Sequence, residues 1–178
     1  LASTSWKQRL TIAIATCGGA GYSPIAPGTV GALWGIPIYL AIALGFPHAP
    51  LVQAGLIFAA LAVTCAITIR LGGWAEEFFG KKDSGAFVTD EVAGLLFTLL
   101  LFPGPLAGIA DLSPWMAVVW GFPITRVIDI VKIPPARRLE HLPLGWGVLA
   151  DDLMGSIYAA GVLHVLYFVA PRLFAWPW

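Results

Sequence analysis

The sequence has little charge. Only 11% of its 178 residues are Asp, Glu, Lys or Arg, where a soluble domain carries about a quarter. That deficit excludes a water-soluble globule. Ten basic and ten acidic side chains cancel, so no overall field draws the chain to nucleic acid, and the local placement of charge must carry any function. Cysteine is scarce too. Cys17 and Cys65 are too few for a disulfide framework or a thiolate zinc site, and Cys65, inside an apolar run, reads as packing. His48, His141 and His164 are far apart and unpatterned, so none is assigned a role, and His164 reads as a core or interfacial residue. Soft-metal chemistry has no donors.

What the chain does have is apolar length. It is 58% hydrophobic with mean hydropathy +0.84, which predicts an all-α, polytopic membrane protein. Apolar segments cover about 29–44, 51–79, 89–102, 114–132 and 147–170. No linker separates them, so 1–178 reads as one domain. A spanning helix needs about 20 residues, and 89–102 is short for one. Because the run 114–132 can cross and its short partner must return the chain, five spans are expected. "KQRLTIAIATCGG" superficially resembles a signal peptide, but the glycine-rich segment after it reads as functional. A short interfacial helix over 6–17 is the expectation. The terminal "FAWPW" reads as an aromatic anchor at the far interface.

Lys and Arg are missing from the loops around His48 and Asp111, and concentrate at Lys7/Arg9, Lys81/Lys82 and Lys132/Arg137/Arg138. The excess of basic residues in cytoplasmic loops places these three groups on the cytoplasmic side. With that topology the remaining polar residues fall at one level. "SPIAPGT" (23–29) precedes the first span, Asp90 and Glu91 open the third, Arg126, Asp129 and Lys132 close the fourth, and Asp151 and Asp152 lie just inside the fifth.

Asp151 and Asp152 interrupt "GWGVLADDLMGSIYAAGVLHVLYFVA", where an ionised carboxylate costs about 2.5–3.5 kcal/mol on insertion scales. Something must compensate them. "DEVAG" (90–94) and "DDLMG" (151–155) share a form, each with a glycine three and four residues after its carboxylates. Those positions stack on one helical face, and glycine there lets another helix approach. Acidic residues also favour first turns through the helix dipole, which could account for Glu91 but not for a pair inside the apolar run. Four or five facing carboxylates call for a hard divalent cation, and Mg²⁺ takes carboxylates, waters and phosphate oxygens. Asp90, Glu91, Asp151 and Asp152 are the expected metal ligands. Arg126 and Asp129 could simply neutralise each other, but Lys132 continues that side, and Arg and Lys suit a phosphate group. Ser23, Gly28 and Thr29 would add donors where the chain breaks before a helix.

Together, "SPIAPGTVG", "TDEVAG", "TRVIDIVKIPP" and "GVLADDLMGS" resemble the phosphatidylglycerophosphatase A family of bacterial inner-membrane enzymes, over about 18–161. The family usually reads Phe-Arg where Thr125-Arg126 stands and Lys-Pro where Lys132-Ile133 stands; its charged residues are all retained. The resemblance implies Mg²⁺-dependent hydrolysis of the terminal phosphate monoester of phosphatidylglycerophosphate. It implies that Asp90, Glu91, Asp129, Asp151 and Asp152 are catalytic or metal-binding, and that Arg126 and Lys132 contact phosphate. The phospholipid and the bilayer are the implied partners. Rival readings are a cation transporter or channel using intramembrane carboxylates, and a phosphatase or phosphotransferase acting on another lipid phosphate.

Overall fold

The computed structural model describes residues 5–81, 84–102, 112–139 and 142–174. Lys82, the loop through Asp111, His141 and the last four residues of the aromatic terminus lie outside the described residues. Every regular element described is helical. In chain order they are α1 (Trp6–Ala15), α2 (Pro27–Ala32), α3 (Gly35–Gly45), α4 (Pro50–Phe79), α5 (Thr89–Leu101), α6 (Pro114–Val131), the single turn α7 (Ala136–Leu139) and α8 (Gly145–Val169).

Proline sets several of the boundaries. Pro27, Pro50 and Pro114 each stand at a helix start, where the missing N–H costs nothing and the fixed φ suits the first turn. Pro37 lies inside α3 and removes the hydrogen bond that the Leu33 carbonyl would accept. Leu33 and Trp34 keep helical dihedrals, so α2 and α3 form one interrupted span. Gly80, at φ 68°, ends α4 in the left-handed conformation that glycine adopts without penalty. Lys132 ends α6 in the same region, at φ 49°, which costs energy for a residue with a Cβ.

Four helical stretches are long and apolar enough to cross a membrane: Pro27–Gly45, Pro50–Phe79, Pro114–Val131 and Gly145–Val169. They expose Phe58, Val63, Val119, Val165 and Phe168, an outer surface suited to lipid. α5 differs. Its 13 residues reach about 20 Å, and ten of them are buried against α2, α3, α4, α6 and α8. It is a short central post faced by protein, and Leu95, Leu96 and Leu99 form the middle of the core.

Glycines let the outer helices close on that post. A Cβ on Gly72 would lie 2.3 Å from the Gly145 Cα and N, and one on Gly145 would lie 2.2 Å from the Thr68 carbonyl oxygen. Backbone therefore meets backbone where α4 crosses the start of α8. Hydroxyls tie the helices at two levels: Thr68 and Thr89 share a 2.8 Å hydrogen bond at the start of α5, and near its end Thr125 donates to Thr98 at 3.1 Å.

Cys65 packs against the core, and His164 makes an edge-to-face contact with Phe102, as the sequence suggests for both. Phe174 departs from the anchor reading. It is buried in an aromatic cluster with Phe102 and Tyr167, because the indole N–H of Trp120 holds the chain inward through the Leu173 carbonyl at 2.9 Å.

Candidate active site

The site forms at one end of the bundle, where the first turn of α5 meets the last turn of α6 and the second turn of α8. The amide of Glu91 donates to the Asp90 carboxylate at 3.0 Å, which uses one of the free N–H groups at a helix start. Asp90 itself is buried. Its neighbour Glu91, turned about 100° around the helix, faces α6. There both terminal nitrogens of Arg126 engage it, Nη1 on Oε2 and Nη2 on Oε1. Nη2 also pairs with Asp129 Oδ2 at 3.0 Å, three residues along α6.

Asp152 reaches the same place from α8. Among the described residues, the acidic, His and Cys groups close enough to share a cation are Glu91, Asp129 and Asp152, each offering an oxygen within 4.8 Å of the others. Asp152 Oδ2 is buried without a hydrogen-bond partner, and so is Arg126 Nε. One atom wants a cation or donor and the other an acceptor. Three carboxylates against one guanidinium leave two negative charges in a half-buried site, a balance that a divalent cation would restore. The donor set is all oxygen, which fits Mg²⁺.

Asp151 turns the other way. It is buried and accepts from Lys132 Nζ at 2.6 Å. The left-handed bend at Lys132 brings this ammonium back toward α8, and strained backbone of this kind gathers at functional sites. The two adjacent aspartates thus have different partners, which their sequence position could not resolve.

The glycines predicted to admit neighbouring helices do so. Gly94 faces Asp152 and Ser156, and Gly155 faces Ile128 and Asp129. Ser156 Oγ lies 2.7 Å from the carbonyl oxygens of both Gly94 and Asp152, fixing α8 to α5 one turn from the carboxylates. Gly28 has a steric role. A Cβ there would sit 2.0 Å from Glu91 Oε1 and 3.1 Å from Arg126 Nη2, so α2 lies directly over the ion pair. Thr29 follows it, half-buried. Ser23 donates to the Ile25 carbonyl at 2.9 Å, spending its hydroxyl on the loop.

The sequence-level metal set was Asp90, Glu91, Asp151 and Asp152; the close set in the structure is Glu91, Asp129 and Asp152. Asp129 joins because Arg126 draws it toward Glu91, and Lys132 draws Asp151 elsewhere. The supporting hydroxyls of Thr68, Thr125 and Ser156 carry only a faint sequence signal, a hydroxyl inside an otherwise apolar helix.

Beside the site, burial and the nearby charge of Asp90 push the Cys17 thiol up to about 11. The thiolate fraction at neutral pH then falls about a hundredfold below that of a free thiol. Cys17 in folded protein should therefore react with N-ethylmaleimide about a hundredfold more slowly than in unfolded protein, as read by mass spectrometry. Equal rates would remove its burial.

A family model described as phosphatidylglycerophosphatase A matches residues 13–167. A phosphatidylglycerophosphatase A from Escherichia coli is 31% identical over 150 residues, covering 83% of this chain and 78% of the relative. One from Haemophilus influenzae is 32% identical over 153 residues, 84% of each chain. A Bacteroides thetaiotaomicron protein, provisionally named a phosphatidylinositol-3-phosphatase, is 32% identical over 165 residues, covering 90% of this chain and 95% of the relative. No solved structure matches significantly. The extent of the family match, together with two relatives that share its name, establishes that this chain belongs to the phosphatidylglycerophosphatase A family.

Proposed function

We propose that the protein hydrolyses the terminal phosphate monoester of phosphatidylglycerophosphate to phosphatidylglycerol, with Mg²⁺, at the cytoplasmic face of a bacterial inner membrane. The observation carrying this reading is the cluster of Glu91, Asp129 and Asp152 around Arg126, at one end of a bundle of apolar helices. A lipid phosphate monoester presents its anion at that level while its acyl chains remain in the bilayer. The clustering of Lys and Arg in the loops at this end supports the cytoplasmic orientation.

In this reading Glu91, Asp129 and Asp152 hold the cation, which supplies Lewis-acid polarisation of a phosphoryl oxygen when bound. Asp90 supports Glu91 from the first turn of α5. Arg126 gives a planar fork to the phosphoryl oxygens, and Lys132, positioned by Asp151, adds a point charge. Water attacks phosphorus, the bond to the glycerol oxygen breaks, a carboxylate of the cluster takes the water proton, and the leaving oxygen takes one up. Positioning and electrostatics carry most of such a transfer. Gly28 keeps α2 close over the pair, with Ser23 and Thr29 at its edge. The carboxylates gather at one end of the bundle rather than at the midplane where a transport path places its coupling site, which disfavours a channel.

Purified protein in mixed micelles should release phosphate from phosphatidylglycerophosphate, lose that activity in EDTA and regain it with Mg²⁺. Undiminished turnover in metal-free buffer would overturn the metal role. Because the Bacteroides relative bears another substrate in its name, phosphatidylinositol 3-phosphate belongs in the same assay. A preference for it would move the substrate while keeping the chemistry.

A further inference from the structure

Both terminal nitrogens of Arg126 are engaged by Glu91 and Asp129. These are two of the three residues whose oxygens converge closely enough to share a cation. A cation and the guanidinium therefore claim the same two carboxylates. The third carboxylate, Asp152, has a buried oxygen with no hydrogen-bond partner, and Arg126 Nε is likewise buried and unmatched. The arrangement as it stands satisfies neither an incoming cation nor an incoming anion.

We infer that Arg126 is a cation-released anion receptor: a divalent cation taking Glu91 and Asp129 frees the guanidinium fork for a phosphate monoester. This rests on the reading of the site given above and adds an order, cation before anion. Until the cation is present, the carboxylates hold the fork closed and repel phosphate themselves. Once it is present, charge-assisted donors become available where the anion docks. Lys132, paired with Asp151 in a separate bridge, is not part of this exchange. By linkage, whatever strengthens anion binding through the cation strengthens cation binding through the anion to the same degree.

The test reads binding on whole protein in detergent, using Mg²⁺ and inorganic phosphate as probes in calorimetric titrations. In Arg126→Gln, loss of the competing positive charge should tighten Mg²⁺ binding by about fivefold or more. If Arg126 instead holds the carboxylates in place for the metal, Mg²⁺ binding weakens, and the inference is overturned. Glu91→Gln gives an independent reading. It loosens the fork, so phosphate binding without Mg²⁺ should strengthen while Mg²⁺ binding weakens. Asp152→Asn removes an equal charge without releasing the fork, and its gain in metal-free phosphate binding should be smaller by about fivefold or more. Equal gains in the two variants would mean simple loss of repulsion and would overturn the inference. Failure of the native protein to release phosphate from any lipid phosphate monoester would count against the proposed reaction alone, since these titrations require no turnover.

Discussion

Asp152→Asn should lower kcat/KM for phosphatidylglycerophosphate by about 10²- to 10⁴-fold, the range associated with loss of a positioned acid–base group, and should raise thermal stability in metal-free buffer. The two effects have one cause. Asp152 brings a third carboxylate within 4.8 Å of Glu91 and Asp129 and leaves one oxygen buried without a partner. Without a cation that charge is a liability to the fold, since like charges at this range repel. Asparagine keeps the shape and removes the repulsion, the exchange of stability for activity common at active sites. Phosphate release gives the first quantity and thermal unfolding in EDTA the second. A variant that loses stability and keeps turnover would make Asp152 a structural residue.

Gly72→Ala, outside the Glu91–Asp129–Asp152 cluster, should also disable the protein. Its new methyl would fall 2.3 Å from the Gly145 backbone, and backbone cannot rotate away as a side chain can. α4 and α8 must separate, taking Asp151 and Asp152 away from α5 and α6. Overpacking of this kind costs about 1–3 kcal/mol, and a displacement of about 1 Å at a reacting centre costs about a hundredfold in rate. Gly55→Ala on the same helix is the control. Nothing lies within 4 Å of its would-be Cβ, so the better helix former should be neutral or stabilising by up to about 1 kcal/mol. If both variants behaved alike, the contact at Gly72 would not govern the site.

The sequence was most readable where a single physical rule dominates. Apolar length and proline placement located the helices to within a few residues, and loop charge brought 90–91, 126–132 and 151–152 to one end. The pairing of charges was less readable. α8 is apolar around most of its circumference, so its pattern does not specify its rotation, and that rotation decides that Asp152 meets Glu91 while Asp151 meets Lys132. Asp129 was visible as a partner of Arg126, but its place among the close carboxylates depends on how α6 faces α5. Gly28 reads in the sequence as a chain break, whereas its closeness to Glu91 and Arg126 is a tertiary fact. The interior placement of Phe174 had no local signal, because the same aromatic residue suits an interface or a core.

The shortness of α5 bears on how the protein is made. A 13-residue helix falls well below the span that partitions into a bilayer unaided, and two carboxylates in its first turn make solitary insertion less favourable still. The other spans have the length to enter the membrane as independent helices and associate afterwards, in two stages. α5 has to arrive with a companion, and α6, whose Arg126 neutralises Glu91, is the one equipped to escort it. Insertion and the candidate site would then draw on the same contact, the Arg126–Glu91 pair that seats the acidic end of α5 against α6.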